Sequence, residues 1–269
     1  MKNKFVVLND RKSRSQKLKI LIEMSYEIAK AELYTKQFQR FLGPVWWMIE
    51  PSLMSFVFFF LTTRLNYTTG DNHFMFIFVG ITVYNFFRKS LEQSPLLYLN
   101  YSVIIKQVNF PLIASNFSII ITELIFFLCG LIFVILFGYV TNSVNIGISI
   151  FFLPIVMLSL ILLTLSLSIL ISCIGVYIRD IVAPLTLALS VIFFLSPGIY
   201  KPENLTGILK FLSIINPFFY FLPACRDIIL YNKIPDFKPL LIWTLFSIFV
   251  LVLSLKIYNY IRPRMLRVF

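Results

Sequence analysis

Arg40-Phe41-Leu42-Gly43-Pro44-Val45-Trp46-Trp47-Met48-Ile49-Glu50-Pro51 divides a polar, basic segment from an almost unbroken apolar run that ends at Thr63. The polypeptide is expected to leave water here and enter a bilayer. Gly43-Pro44 closes one helix and opens the next, since Pro fits the first turn of a helix and not its interior. Trp46 and Trp47 suit the membrane–water boundary, where the ring body lies in lipid and the indole N–H stays wet. An interfacial anchor is the plain reading of these rings.

The rest of the composition agrees with a membrane protein. Apolar residues make up 59% of the chain, and the mean hydropathy is +0.87, whereas a soluble domain is roughly half apolar. With roughly 20 apolar residues per crossing, six spans are expected: 45–64, 74–97, 110–140, 146–177, 181–199 and 240–258. The third and fourth exceed what a bilayer needs and should tilt or project. Arg88 and Lys89 interrupt the second, which has the weakest signal of the six. No cleavable leader is expected, because the first long apolar run lies behind a charged segment. Cys129, Cys173 and Cys225 read as small hydrophobes rather than disulfide partners or metal ligands. The net charge of +12 does not point to nucleic acid, because of where it sits. Most Lys and Arg fall before Val45, at Arg88, Lys89 and Lys106, at Arg179, and from Lys256 onward. All of these lie on one side of a six-span chain, so both termini are expected in the cytoplasm.

Residues 1–16 read as a basic tail. Over 17–39 the apolar residues Leu18, Leu21, Ile22, Ile28 and Ala31 recur at helical spacing, with Glu23, Glu27 and Lys30 on another face. Glu32 and Lys36 form an i,i+4 pair. A helix lying along the cytoplasmic membrane surface is expected; a helix packed on other cytoplasmic segments is the alternative. His73, the only histidine, follows turn residues Gly70-Asp71-Asn72 and is expected in solvent, which excludes a His-based catalytic pair or metal cluster within one chain. Segment 96–109, between Pro95 and Pro111, reads as a short amphipathic helix, either a docking knob for a soluble partner or a plain connector. Glu123 lies deep in the third span, where a carboxylate is costly and marks either function or a structural hydrogen bond to Thr122 or Asn116. Thr164, Ser168, Ser172 and Gly175 form a small-residue stripe for close helix contact. Arg179-Asp180 is the short fourth cytoplasmic connection.

Residues 196–238 fall on the outer side by this count, yet include Ile208–Ile215 and Phe218-Phe219-Tyr220-Phe221-Leu222. These runs are too short to span and are broken by Asn216-Pro217 and Pro223. They read as two half-helices dipping back into the membrane's outer half.

No G-x-x-x-x-G-K-[ST] loop, H-E-x-x-H or Ser/Cys–His arrangement is present, so the chain is expected to be a transport component driven from elsewhere rather than an enzyme. Its motif order is an amphipathic N-terminal helix, Arg40, Leu42-Gly43, Trp46 and Pro51, six spans, Arg179-Asp180, Ser196-Pro197-Gly198-Ile199-Tyr200, Asn216-Pro217 and Arg226. This order resembles the permease subunit of ABC-2 type exporters of polysaccharides and polyol phosphates, which carry O-antigen, capsule or teichoic acid. The match runs from about Leu18 to Arg262. Phe41 stands where the family often has Ser, and Glu50-Pro51 is nearer capsule-type members.

The resemblance implies one all-α transmembrane domain over 1–269: tail and interface helix (1–44), six-span bundle with re-entrant half-helices between spans five and six (45–258), and cytoplasmic tail (259–269). It implies an inner-membrane homodimer with two copies of a cytoplasmic ATPase, which holds the ATP and Mg; no cofactor is expected in this chain. The cargo would be a lipid-linked glycan such as O-antigen. Glu27, Lys30, Tyr98, Tyr101, Ile104 and Lys106 would meet the ATPase. Trp46, Trp47, Tyr200, Phe218, Phe219, Tyr220 and Phe221 would line the path or its outer gate, and Arg40, Glu123, Arg179, Asp180 and Arg226 would be charges with structural or functional roles. A capsule or teichoic acid permease, a small-molecule ABC-2 permease and a membrane enzyme of glycan assembly are the alternatives.

Overall fold

The computed structural model describes residues 14–38, 45–65, 70, 72–102, 111–145, 147–200, 211 and 215–268. Among the described residues every regular element is helical and no strand occurs. The order is α1 (Arg14–Phe38), α2 (Trp46–Arg64), α3 (His73–Gln93), α4 (Leu97–Asn100), α5 (Ile113–Val140), α6 (Leu153–Gly175), α7 (Val182–Leu195), α8 (Phe218–Ile229) and α9 (Phe237–Val268). Tight 3-10 turns at Ile148–Phe152 and Arg179–Ile181 lead into α6 and α7.

Among the described residues four stretches are long and apolar enough to cross a membrane: His73–Gln93, Ile113–Val140, Ile148–Gly175 and Phe237–Met265. They correspond to the second, third, fourth and sixth expected spans. The first expected span is α2, which is 19 residues long and carries Glu50 and Arg64 near its ends. The fifth is α7, shorter than expected at 14 residues. That is about 21 Å of helix, against a hydrocarbon core of about 30 Å. The reason for its early end is local. Ser196 is extended, with φ −85° and ψ 156°, because a residue before proline is pushed out of the helical region.

The span with the weakest sequence signal is the best buried. Helix α3 packs against α2, α5, α6, α7 and α8, and Ile77, Val83 and Tyr84 are enclosed. Arg88 and Lys89 do not break it, because both lie in its last turns and each has a partner. Arg88 Nε donates to Glu92 Oε1 at 2.8 Å, and Lys89 Nζ to Glu50 Oε2 at 2.8 Å.

In lipid, helices associate through close packing and polar contacts rather than through escape from water. The stripe on α6 does both. A Cβ on Gly175 would lie 1.9 Å from the Pro95 carbonyl oxygen, so only glycine allows this approach. Ser172 Oγ donates to the Ser94 carbonyl at 2.9 Å, and Ser94 Oγ and Ser168 Oγ are 2.8 Å apart. Asn116 Nδ2 donates to Ser168 Oγ at 3.0 Å and to Ser172 Oγ at 2.9 Å. Tyr98 completes the network by donating to Asn116 Oδ1 at 2.6 Å.

Two local expectations change. His73 is buried, with its Nε2 2.6 Å from Thr62 Oγ1, because it opens α3 against α2 instead of ending a loop. Of the helix expected over 96–109, the described residues show the turn α4, and 103–110 lie outside them. In α1 the packed face is Leu21, Ser25, Ala29 and Glu32, set against α5, while Leu18, Ile22, Tyr26 and Tyr34 point outward. Small and polar residues let α1 sit close, and its larger apolar side chains stay outside.

Candidate functional site

Ser196-Pro197-Gly198, Asn216-Pro217 and Arg226 are far apart in sequence and meet where α3 begins. Arg226, on α8, is 2% exposed. Its Nε donates to the Phe76 carbonyl at 2.8 Å, Nη1 to the Pro197 carbonyl at 2.5 Å and Nη2 to the Gly198 carbonyl at 2.6 Å. The guanidinium lies 3.6 Å from the centre of the Phe76 ring. No carboxylate pairs with it among the described residues. The charge is held by carbonyl dipoles and a ring face. The carbonyls of Pro197 and Gly198 are available because α7 has ended and nothing helical follows to use them. Gly80 makes the room, since a Cβ there would lie 2.2 Å from Arg226 Nη2.

Asn216 closes the same junction. Its Oδ1 accepts from the Phe218 amide, the first of α8, at 3.0 Å, and its Nδ2 donates to Ser196 Oγ at 2.8 Å. Phe218 then wedges between Tyr84 and Phe87, with ring centroids 4.8 Å from each, and the Tyr84 hydroxyl donates to the Leu189 carbonyl. One arginine and one asparagine thus fasten α8 to α3 and to the break after α7.

A second polar site lies where α3 ends. Lys36 Nζ donates to Glu123 Oε1 and to Gln93 Oε1, both at 2.8 Å. Gln93 Nε2 also donates to Glu123 Oε1 at 2.8 Å. Glu32 accepts from the Tyr101 hydroxyl at 3.0 Å and from Thr122 Oγ1 at 3.3 Å. Burial lifts the Glu32 carboxyl above the usual carboxylate range, while Tyr101, Lys36 and Thr122 pull it back. Glu32 and Lys36, a simple i,i+4 pair in the sequence, therefore each bind residues on other elements. Beside them a cleft of about 210 Å³ is lined by Lys36, Trp47, Glu50, Lys89, Glu123 and Phe126. Trp47 stacks on Phe126 with centroids 3.9 Å apart.

The other expected site residues divide by placement. Tyr98 is fully buried and turned into the α5–α6 network, so it is not a surface contact; Tyr101 is half-buried and reaches α1. Glu27 and Lys30 are exposed on α1, and Arg179 and Asp180 are exposed in their turn. Trp46 is exposed and Trp47 half-buried. Phe218 and Phe221 are enclosed in the chain's own core, while Phe219 and Tyr220 remain half-exposed. Helical spacing places 218 and 221 on one face and 219 and 220 off it, so an aromatic run read as one unit serves two purposes. Tyr200 donates to the Leu195 carbonyl at 2.7 Å, bracing the end of α7. Glu123 binds Lys36 and Gln93 rather than Thr122 or Asn116. Arg40, Ile104 and Lys106 lie outside the described residues, as does 208–215 save Phe211 and Ile215. Gly80 and Gln93 were not expected at these sites; a lone glycine inside an apolar span is the signal that could have pointed to the first.

These features define a multi-pass helical membrane protein whose buried polar groups tie helices together. The family model for ABC-2 type transporters matches residues 26–230, and the chain belongs to that family. Two O-antigen export system permease proteins, both RfbA of Klebsiella pneumoniae, are each 20% identical to it over 244 residues, covering 91% of this chain and 94% of the relative.

Proposed function

We propose that this chain is the membrane permease subunit of an ATP-driven exporter that moves a lipid-linked polysaccharide from the cytoplasmic to the outer face of the bacterial inner membrane. It acts as a homodimer with two copies of a separate cytoplasmic ATPase, which holds the ATP and Mg. The observation that carries this reading is similarity over 91% of the chain to permeases of O-antigen export, within a family of transporters. Both termini are cytoplasmic, and α2 and α7 complete six crossings. Helix α1 lies on the cytoplasmic surface with Leu18, Ile22 and Tyr26 toward lipid. Helix α8 is re-entrant in the outer half; irregular backbone at that depth requires internal partners, and Arg226 and Asn216 supply them.

Within this reading the site where α3 ends faces the ATPase. Glu27 and Lys30 on α1, and the segment holding Tyr101, Ile104 and Lys106, receive the push. Tyr98 and the Ser94 network transmit it, being rigidly bonded to α5 and α6. The site where α3 begins is the outer gate. Phe219, Tyr220 and Tyr200 face the path, and Phe218 and Phe221 root the gate in the core.

Deletion of the chain from its host tests the proposal. Surface polysaccharide should disappear and its lipid-linked form should accumulate inside, as read by mass spectrometry of extracted lipids. Unchanged surface polymer with no accumulation contradicts it.

A further inference from the structure

The cleft between α8 and the start of α9 is larger than the one beside Lys36, at about 490 Å³, within the range of small-molecule sites. Its walls include Phe219, Tyr220 and Trp243, with Asp227, Lys233 and Asp236 among them. We propose that this cleft binds the saccharide chain of the exported glycan as it leaves the gate, an inference that rests on the exporter reading above.

The cleft is built on a braced frame. The Lys233 amide donates to the Asp227 carbonyl at 2.8 Å, and the Tyr220 hydroxyl donates to the Asp236 carbonyl at 3.2 Å. Asn232 takes a left-handed conformation, with φ 50°, and its Oδ1 accepts from Ser149 Oγ at 2.8 Å and from the Ser149 amide at 3.3 Å. Pro235 stiffens the same turn, and Pro239 the first turn of α9. A wall fixed at these points does not have to be ordered when a ligand arrives.

The lining chemistry selects the ligand. Tyr220 and Trp243 are half-buried, so their rings stay reachable, and an aromatic face accepts the C–H face of a pyranose. Asp227 and Asp236 accept hydroxyl hydrogens, and Lys233 donates to hydroxyl or ring oxygens. Two carboxylates against one ammonium disfavour a phosphate. A bare acyl tail would offer no hydrogen-bonding group to any of the three charged side chains. A hydroxyl-rich, weakly charged ligand satisfies rings and charges together. The cleft adjoins the gate, since Asp227 follows Arg226 directly.

The test uses the full chain co-purified with its ATPase in detergent, and the water-soluble polysaccharide released by mild acid from cells that produce it. Binding is measured by isothermal titration. Trp243→Ala should weaken binding by about tenfold and Trp243→Phe by less than about threefold, because Phe keeps an apolar face. Asp227→Asn with Asp236→Asn should weaken it by about fivefold, since amides accept less strongly than carboxylates. The melting temperature confirms that each variant is folded. If Trp243→Ala proves unstable, Trp243→Phe and the double Asn variant still decide. Native-strength binding in the double Asn variant overturns the proposal, as does displacement of the polysaccharide by phosphatidylglycerol vesicles. A host that needs the chain for surface polymer yet whose cleft variants bind normally removes the cleft and leaves the exporter. A host whose surface polymer does not need the chain removes both.

Discussion

Arg226 and Lys36 are both cations drawn into the protein, and the two ends of α3 hold them differently. Phe76 and Gln93 are separated by about 26 Å along that helix. Arg226 is sealed against three carbonyls and a ring, with no carboxylate paired to it among the described residues. Lys36 is 28% exposed along its side chain and shares Glu123 with Gln93. A charge caged by backbone dipoles has one geometry in which it is satisfied. A charge held by side chains beside an open cleft can exchange partners, and Lys36 lines that cleft. The Arg226 junction is therefore the rigid end of the molecule, and the α1 junction the end better able to move.

The largest expected effect tests the rigid end. Arg226→Ala strands the buried Pro197 and Gly198 carbonyls and should destabilise the protein by about 3–5 kcal/mol, seen as loss of monodisperse protein in size-exclusion chromatography. Arg226→Lys should not rescue it, because one ammonium cannot reach the three carbonyls in the fork geometry. Gly80→Ala should cost about 1–3 kcal/mol by crowding the guanidinium, without removing any hydrogen-bonding group. A stable, active Arg226→Lys would show that charge alone suffices and would erase the contrast between the ends.

Lys36→Met should cost less, about 1–3 kcal/mol, since solvent reaches the site and Gln93 continues to bind Glu123. A double-mutant cycle with Glu123→Gln should show a coupling of about 1 kcal/mol. The informative readout is ATPase activity. Lys36→Met should loosen α1 and uncouple hydrolysis from export while leaving the permease in the membrane.

These two sites were legible to different degrees in the sequence. Arg226, Ser196-Pro197-Gly198 and Asn216-Pro217 carry backbone signals, proline and glycine breaks beside a charge in an apolar stretch, and such signals survive in one dimension. Their convergence on Phe76 did not, because a carbonyl contact leaves no trace in residue type. Glu32 and Lys36 misled in the opposite way: i,i+4 spacing predicts a local pair, but tertiary partners on α3, α5 and the α4 connection win. The spans were read well where apolar length decides. Helix α7 came out shorter than its apolar run because Pro197 acts on Ser196. Tyr98, Phe218 and Phe221 were placed in the right segments, but which way a ring turns depends on helix phase against neighbours that a sequence does not supply.

The smallest effect concerns pH. The Glu32 carboxyl is raised by burial in the packed state, so docking of α1 favours the protonated form. Docking is strongest below the ordinary carboxylate range and weakens as pH rises through the raised value. Glu32→Gln should flatten this dependence and keep α1 in place, as followed by cross-linking between cysteines introduced in α1 and α5. An unaltered pH profile would remove Glu32 from the mobile end.

The central claim is that this chain carries a lipid-linked polysaccharide across a membrane on power supplied by another subunit. Proteoliposomes holding the chain, its ATPase and the glycolipid extracted from the host provide the direct measurement, with ATP outside and glycosidase protection as the readout. ATP should move outward-facing glycan into the protected lumen, and an ATPase variant unable to hydrolyse ATP should abolish the movement. Active hydrolysis with no change in glycosidase protection, or equal movement without ATP, would contradict it.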